Sequence, residues 1–316
     1  MSSFRHFTTE EIKRTIPMEK AIGLMQQAFM LLSSDNAAVP LRTVIESRDH
    51  TGRALFMPSY SGAYGLFGLK MVAVYENNEV NSLPIIQGKM LVTDSKNGVP
   101  LALLDAEYLT ALRTGAASGL ATDLLARDNA HVLALFGTGT QAYTQLAAVA
   151  TVRDIKKVIV FGKTIARATA FCDELASQYP ITFVAARDLS ELKEADVICT
   201  ATTSSTPLFP VTALKEGVHI NAIGSFKPNM QEIDASVILQ SLLIVDQREA
   251  ALSEAGDIMI PVQQGRMGPE HIHAELGEVV SGFRKGRTSE NQLTVFKSVG
   301  NAIQDLAIAH GMLKEN

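Results

Sequence analysis

The 316-residue chain has no tryptophan and only two cysteines, Cys172 and Cys199. A chain of this length can bury a substantial core, which excludes a disulfide-stapled fold, and the cysteines, lacking a CxxC partner, read as small core residues in a reducing compartment. Aromatic residues are scarce at 6% and charged residues make up 19%. The 28 Lys+Arg against 33 Asp+Glu leave a formal charge of −5, with no block of basic residues to track a phosphate backbone. Nucleic acid is therefore not an expected partner. Apolar runs of bilayer-spanning length are also missing, and the opening MSSFRHFTTEEIKRTI lacks the apolar stretch of a secretory signal. The expectation is a cytoplasmic protein with no membrane partner. His271-Ile272-His273 sets two imidazoles at alternate positions, but no cysteine or carboxylate cluster completes them, so no metal site is expected. No Gly-x-Ser-x-Gly elbow or Cys/His nucleophile pattern is present.

What is present is ample apolar material, 47% of a chain long enough for two domains. From Ala130 onward, short apolar runs alternate with helix-like stretches: HVLALFG (131–137), KVIVFG (157–162), ITFVAA (181–186), ADVICTA (195–201), GVHINAIG (217–224) and LLIVD (242–246). Continuous rather than alternating apolarity marks parallel strands covered on both faces. Six of them predict a Rossmann-type doubly wound sheet in the order 3-2-1-4-5-6. The preceding segment opens with helical TTEEIKRTI and PMEKAIGLMQQAFMLLSS, where Thr9 or Pro17 would start a helix. Strand-like runs at 41–48, 53–60, 65–75, 88–94 and 99–105 follow, separated by HTG, SGAYG and SKNG turns, which suits a mostly antiparallel sheet. A long helix over 107–126 leads into the nucleotide-type region. ELGEVVSGFRKG and the tail TVFKSVGNAIQDLAIAHGML read as helical, the tail packing back on the first domain. The expected class is α/β, with the Rossmann-type domain over 126–293 and an α+β domain over 1–125 completed by a helix at 294–316.

Gly137-Thr138-Gly139-Thr140-Gln141-Ala142 follows its strand directly and opens a helix, the G-x-G-x-x-A dinucleotide fingerprint in its required setting. Gly137 permits the tight turn, Gly139 lets the backbone approach a pyrophosphate, and Ala142 keeps the helix close to the strand. An NAD site usually ends its next strand with an acidic residue that binds the ribose hydroxyls. Here that strand ends in Gly162-Lys163-Thr164, so Lys163, Thr164 and Arg167 could instead hold a 2′-phosphate. The reading is NADPH preferred, with NADH as the other coenzyme; the plain alternative is that Lys163 is a solvated turn lysine.

Three cations stand in the first domain where solvated charge is not the natural explanation. Lys70 interrupts GLFGLKMVAVY, Arg113 interrupts ALRTGAASGLA, and Arg42 opens a strand after Pro40. A cation inside an apolar run is costly unless paired. Together they would hold an anion such as a carboxylate. Singly, Arg42 could be a surface residue, and Lys70 or Arg113 could be paired with a buried acid.

The segments LRTV (41–44), GLKMV (68–72), ALRTGAASGLAT (111–122), LFGTGTQA (135–142), NAIGSFKPNMQEID (221–234), HAELGEVVSGFRKGR (273–287) and TVFKSVGNAIQDLAIA (294–309) resemble the ornithine cyclodeaminase/μ-crystallin family over nearly the whole chain. The resemblance implies a homodimer, with an N-terminal substrate-binding and dimerisation domain beside a nicotinamide-dinucleotide domain. It implies that Arg42, Lys70 and Arg113 hold the substrate carboxylate. Thr140 and Gln141 fall on the phosphate loop, Thr202 near the cofactor, Ala222 to Gly224 beside the nicotinamide, and Ser298 and Val299 at the rim of the substrate site. Cyclodeaminases of the family carry an Asp two residues after the glycine of the NAxGG segment; this chain has Phe226 there, and a phenyl ring cannot act as base or counter-ion. Phe226 would instead wall a ring methylene. Within the family this leaves NAD(P)H-dependent reduction of a small imino acid, with Δ1-pyrroline-2-carboxylate to L-proline as the reading adopted and Lys70 as catalytic residue. Other ketimine reduction, alanine dehydrogenase-like reductive amination, cyclodeamination and non-catalytic NADPH binding are the alternatives.

Overall fold

The structure, a computed structural model, describes residues 4–49 and 51–315. The chain divides into two units, one running to Arg113 and resuming at Asn301, the other spanning Thr114–Gly300. The first unit starts with β1 (Arg5–Phe7), α1 (Thr9–Thr15) and α2 (Met18–Ser33). α1 starts at Thr9, as expected, and Thr8 caps it: the Thr8 hydroxyl accepts from the Glu11 N–H while the Glu11 carboxylate accepts from the Thr8 N–H. Pro17, with φ −65°, caps α2. There follow β2 (Ala37–Ala38), β3 (Thr43–Glu46), β4 (Arg53–Ser61), β5 (Leu66–Val74), β6 (Ile86–Asp94), β7 (Pro100–Asp105) and α3 (Ala106–Leu125).

β4 to β7 form an antiparallel meander in the sheet order β1-β7-β6-β5-β4-β2, with β3 also paired to β4 and β1 added parallel to β7. The period of two is plain on β5, where Leu66, Gly68 and Lys70 are buried while Phe67, Leu69 and Met71 face outward. Lys70 therefore sits on the covered face with its charge inside the fold.

The second unit carries β8 (Val132–Phe136), α4 (Thr140–Val152), β9 (Lys157–Phe161), α5 (Ile165–Ala176), β10 (Thr182–Ala185), β11 (Val197–Thr200) and β12 (His219–Ala222). Then come α6 (Ala235–Leu239), β13 (Leu242–Val245), α7 (Arg248–Glu254), α8 (Gly256–Gln263), β14 (Ile272–Glu275), α9 (Leu276–Val280) and β15 (Thr294–Lys297). All eight strands are parallel, in the order β10-β9-β8-β11-β12-β15-β13-β14. The expected 3-2-1-4-5-6 order is kept for the six strands read from sequence, but two more join. β15 is inserted between the fifth and sixth, and β14 covers the edge. The residues TVFK are thus a strand and not the start of the tail helix. They are β-branched and aromatic, buried on both sides between β12 and β13, and the chain breaks at Gly300, whose φ is +77°. ELGEVVSGFRKG is likewise helical only over α9, which ends before Gly282 at φ +74°. After Asn301 the chain re-enters the first unit as α10 (Ala302–Lys314), packed on β4 and β5 and against α2.

Candidate active site

In the first unit, β5, α3 and α10 bring three charged side chains together. Lys70 Nζ lies 2.7 Å from Asp305 Oδ2, Arg113 Nε donates to Asp305 Oδ1 at 3.1 Å, and Arg113 Nη1 donates to Gln304 Oε1 at 2.8 Å. Lys70 is 1% exposed and Asp305 is fully enclosed. Lys70 also donates to Thr110 Oγ1 at 3.3 Å. Burial, with help from the Arg113 and Arg42 charges, pushes the Lys70 ammonium down to about 7, against the pull of Asp305 that favours the charged form. Arg42 is half-buried just before β3 and enters the cluster through this charge effect. The sequence pairs neither Lys70 nor Arg113 with a particular acid; the structure pairs both with Asp305. Lys70 and Arg113 together outnumber the single Asp305 carboxylate between them when Lys70 is protonated, which suits a small carboxylate ligand. Gln304 Nε2 is buried with no hydrogen-bond partner, leaving a donor next to the Arg113 fork.

In the second unit the fingerprint forms the turn from β8 into α4. Gly137 has φ +109°, and a Cβ there would stand 2.5 Å from the Ala201 carbonyl oxygen. Gly139 is the N-cap of α4; no side chain caps the helix, and a Cβ on Gly139 would meet nothing within 4 Å. Ala142 is buried against the sheet. Thr140 and Gln141 occupy the first turn, with Gln141 Oε1 unpartnered. A 13-residue helix with no side chain capping its N-terminus and open space at its cap fits a dinucleotide pyrophosphate. At the end of β9, Lys163 is exposed, and Thr164 caps α5 by accepting from the Arg167 N–H at 3.3 Å. The Thr164 hydroxyl proton remains available as a donor.

The family model for the ornithine cyclodeaminase/mu-crystallin family matches residues 6–316. The chain belongs to that family. Among its relatives, the Δ1-pyrroline-2-carboxylate reductase of Bacillus cereus is 40% identical over 304 residues, covering 96% of this chain and 93% of the relative. Of solved structures, Thermococcus litoralis Δ1-pyrroline-2-carboxylate reductase in complex with NADH and L-proline superposes with a TM-score of 0.93 at 37% identity, covering 98% of this chain and 96% of the other. An archaeal alanine dehydrogenase dimer with bound NAD gives a TM-score of 0.91 at 35% identity, covering 98% and 94%.

The remaining expected site residues of this family member lie on the loops after β11, β12 and β15. Thr202 and Gly224 give their backbone N–H groups to Glu232, and Ala222 is fully buried at the end of β12. The Ser298 hydroxyl and the Val299 and Gly300 N–H groups all converge on Asp246 Oδ2 at 2.7, 3.0 and 2.7 Å. Ser298 is therefore already engaged in shaping its own turn. Phe226 is 38% exposed, with the Lys227 ammonium 5.6 Å from its ring centroid. The imidazoles of the His271-Ile272-His273 segment are each taken by a carbonyl, His271 by Ile238 O and His273 by Lys285 O. Among the described residues no group of three His, Cys, Asp or Glu side chains could hold a metal, and no helix is long and apolar enough to cross a membrane. Sequence reasoning missed Gln304, Asp305, Glu232, Asp246 and Asp257. Asp305 and Gln304 lie in an ordinary helical pattern and Glu232 in the polar stretch KPNMQEID, so their roles show only once their partners are placed.

Proposed function

We propose that the chain catalyses reduction of Δ1-pyrroline-2-carboxylate to L-proline, with a nicotinamide dinucleotide as donor. The observation that carries this reading is the enclosed Lys70–Asp305–Arg113 cluster, in which a lysine tuned to about 7 sits beside a carboxylate-binding fork. Arg113, fixed along its Nε–Nη1 edge by Asp305 and Gln304, and Arg42 bind the substrate carboxylate. Lys70 Nζ delivers the proton to the imine nitrogen, so that the carbon is reduced at the level of an iminium. Asp305 holds the ammonium in place and keeps it from losing its proton altogether. When bound, the reduced dinucleotide supplies the hydride.

Gly137, Gly139, Thr140, Gln141 and Ala142 would hold the pyrophosphate of the dinucleotide, and Thr202, Ala222, Gly224 and Ser298 would line its nicotinamide half. Lys163 and Thr164 favour NADPH over NADH, since β9 ends without a carboxylate and with an exposed ammonium. The partner is a second copy of the chain. Tyr60 on β4 and Phe67, Leu69 and Met71 on β5 form an exposed apolar face on the first unit's sheet, of the kind an obligate dimer covers. Both cysteines are free and buried, which suits the reducing cytoplasm.

The test is steady-state coenzyme oxidation with Δ1-pyrroline-2-carboxylate, Δ1-piperideine-2-carboxylate and pyruvate plus ammonia. The highest kcat/KM is expected for the five-membered ring, with L-proline as product. A highest value for pyruvate plus ammonia would assign the chain to reductive amination instead, and no oxidation with any of the three would make it a binding protein.

A further inference from the structure

We propose that Glu232 is a positioning residue of this enzyme, a buried carboxylate that clamps together the turns following β11 and β12 and so sets the nicotinamide half of the coenzyme site. The inference rests on the assignment of Thr202, Ala222 and Gly224 to the coenzyme. Glu232 lies in the irregular segment between β12 and α6 and is fully enclosed. Its Oε1 accepts from the Thr202 N–H at 2.6 Å; its Oε2 accepts from the Gly224 N–H at 2.7 Å and from the Thr200 hydroxyl at 2.8 Å. One carboxylate thus ties the last residue of β11, the turn after it, and the turn after β12. These are the carboxyl ends of adjacent parallel strands, where open α/β sheets bind their ligands. The approach is so close that a Cβ on Gly224 would collide with Glu232 Oε1 and with the Thr202 carbonyl.

The clamp is itself anchored. Asp257 on α8 accepts the Glu232 and Ile233 N–H groups on Oδ1 at 2.7 and 2.9 Å, and its Oδ2 takes the Lys297 ammonium at 2.9 Å. Lys297 ends β15, the strand inserted beside β12. Asp257 and Lys297 are both fully buried, so two carboxylates and one ammonium sit together in the interior. Burial raises the Glu232 pKa and the Lys297 charge opposes that rise. Such a buried set is costly to assemble, and well-packed apolar side chains would serve bare stability as well. What apolar side chains cannot do is hold two backbone N–H groups of different turns at one point.

Glu232→Gln tests this, because it keeps the volume yet must turn an amide N–H₂ toward one of two backbone N–H groups, whichever way the amide is oriented. Dissociation constants are measured for NADH and for ADP-ribose, which lacks the nicotinamide, beside thermal melts and kcat with Δ1-pyrroline-2-carboxylate. The expected variant is folded, binds ADP-ribose within about twofold of wild type, binds NADH about tenfold more weakly, and loses about 10–100-fold in kcat. Wild-type NADH affinity and kcat in a folded Glu232→Gln protein would overturn the proposal, and so would equal weakening of both ligands. If the wild-type protein bound neither of these ligands nor NADPH, the coenzyme assignment would fall and take this proposal with it. Thr200→Val, which removes one donor without opposing two others, should move NADH affinity in the same direction by a few fold. If Glu232→Gln does not fold and Thr200→Val leaves both affinities unchanged, Glu232 serves folding alone and the proposal is overturned.

Discussion

Lys70 is an ammonium whose proton is set by its neighbours. Its pKa of about 7 in the fold means that the proton-donating form dominates below neutrality, so kcat/KM for imine reduction should fall as pH rises through about 7. Asp305 raises that pKa, so Asp305→Asn should move the falling limb to lower pH; an unmoved limb would dissociate it from Lys70. The same shift enters stability with a definite sign. Between about 7 and the ordinary lysine value of 10.5 the unfolded chain binds the extra proton, so the Lys70 contribution to stability improves as pH rises through that window. At the adenosine end, Lys163→Ala should cost NADPH about 1–3 kcal/mol in kcat/KM and leave NADH nearly untouched. Equal losses for both coenzymes would remove Lys163 from 2′-phosphate recognition. Lys70 and Arg113 were legible in the sequence because a charge inside an apolar run must have a reason. Asp305 was not, because it lies 192 positions from Arg113 and its helix shows an ordinary apolar pattern. Glu232 and Asp257 were hidden for the same cause: a buried acid is informative only once the backbone N–H groups it serves are placed.

Among the elements, the β8–α4 turn was the most readable, since glycine spacing and strand–helix context are both local. Its geometry predicts that Gly137→Ala lowers the melting temperature by several degrees and weakens NADH binding, because a Cβ at φ +109° is strained and would press on the Ala201 carbonyl. Calorimetric melts with and without NADH check this; an unchanged melt would mean the turn relaxes freely. β15 was the least readable element. Four residues carry too little periodicity to separate from the helix that follows, and only the parallel pairing to β12 and β13, distant in sequence, decides for strand. The sheet order changes as a result, and Lys297 ends a strand buried in the interior. The helix start at Thr9 was readable, and the capping box between Thr8 and Glu11 fixes it there.

For the whole molecule, the apolar face of Phe67, Leu69 and Met71 predicts a dimer that Leu69→Glu disrupts, shifting the mass by light scattering to that of one chain. A variant that remains dimeric would place the interface elsewhere. The absence of a carboxylate at Phe226 predicts negligible ammonia release from L-ornithine with NAD; turnover comparable to imine reduction would refute that argument. The central claim is that the enclosed lysine of the first unit delivers the proton that makes imino-acid reduction possible. It is tested most directly by single-turnover formation of L-proline from Δ1-pyrroline-2-carboxylate by Lys70→Ala, folded by thermal melt and saturated with coenzyme. The account predicts a rate lower by about 10²–10⁴ with coenzyme affinity intact; a folded, coenzyme-binding Lys70→Ala protein that forms L-proline at the wild-type rate would contradict it.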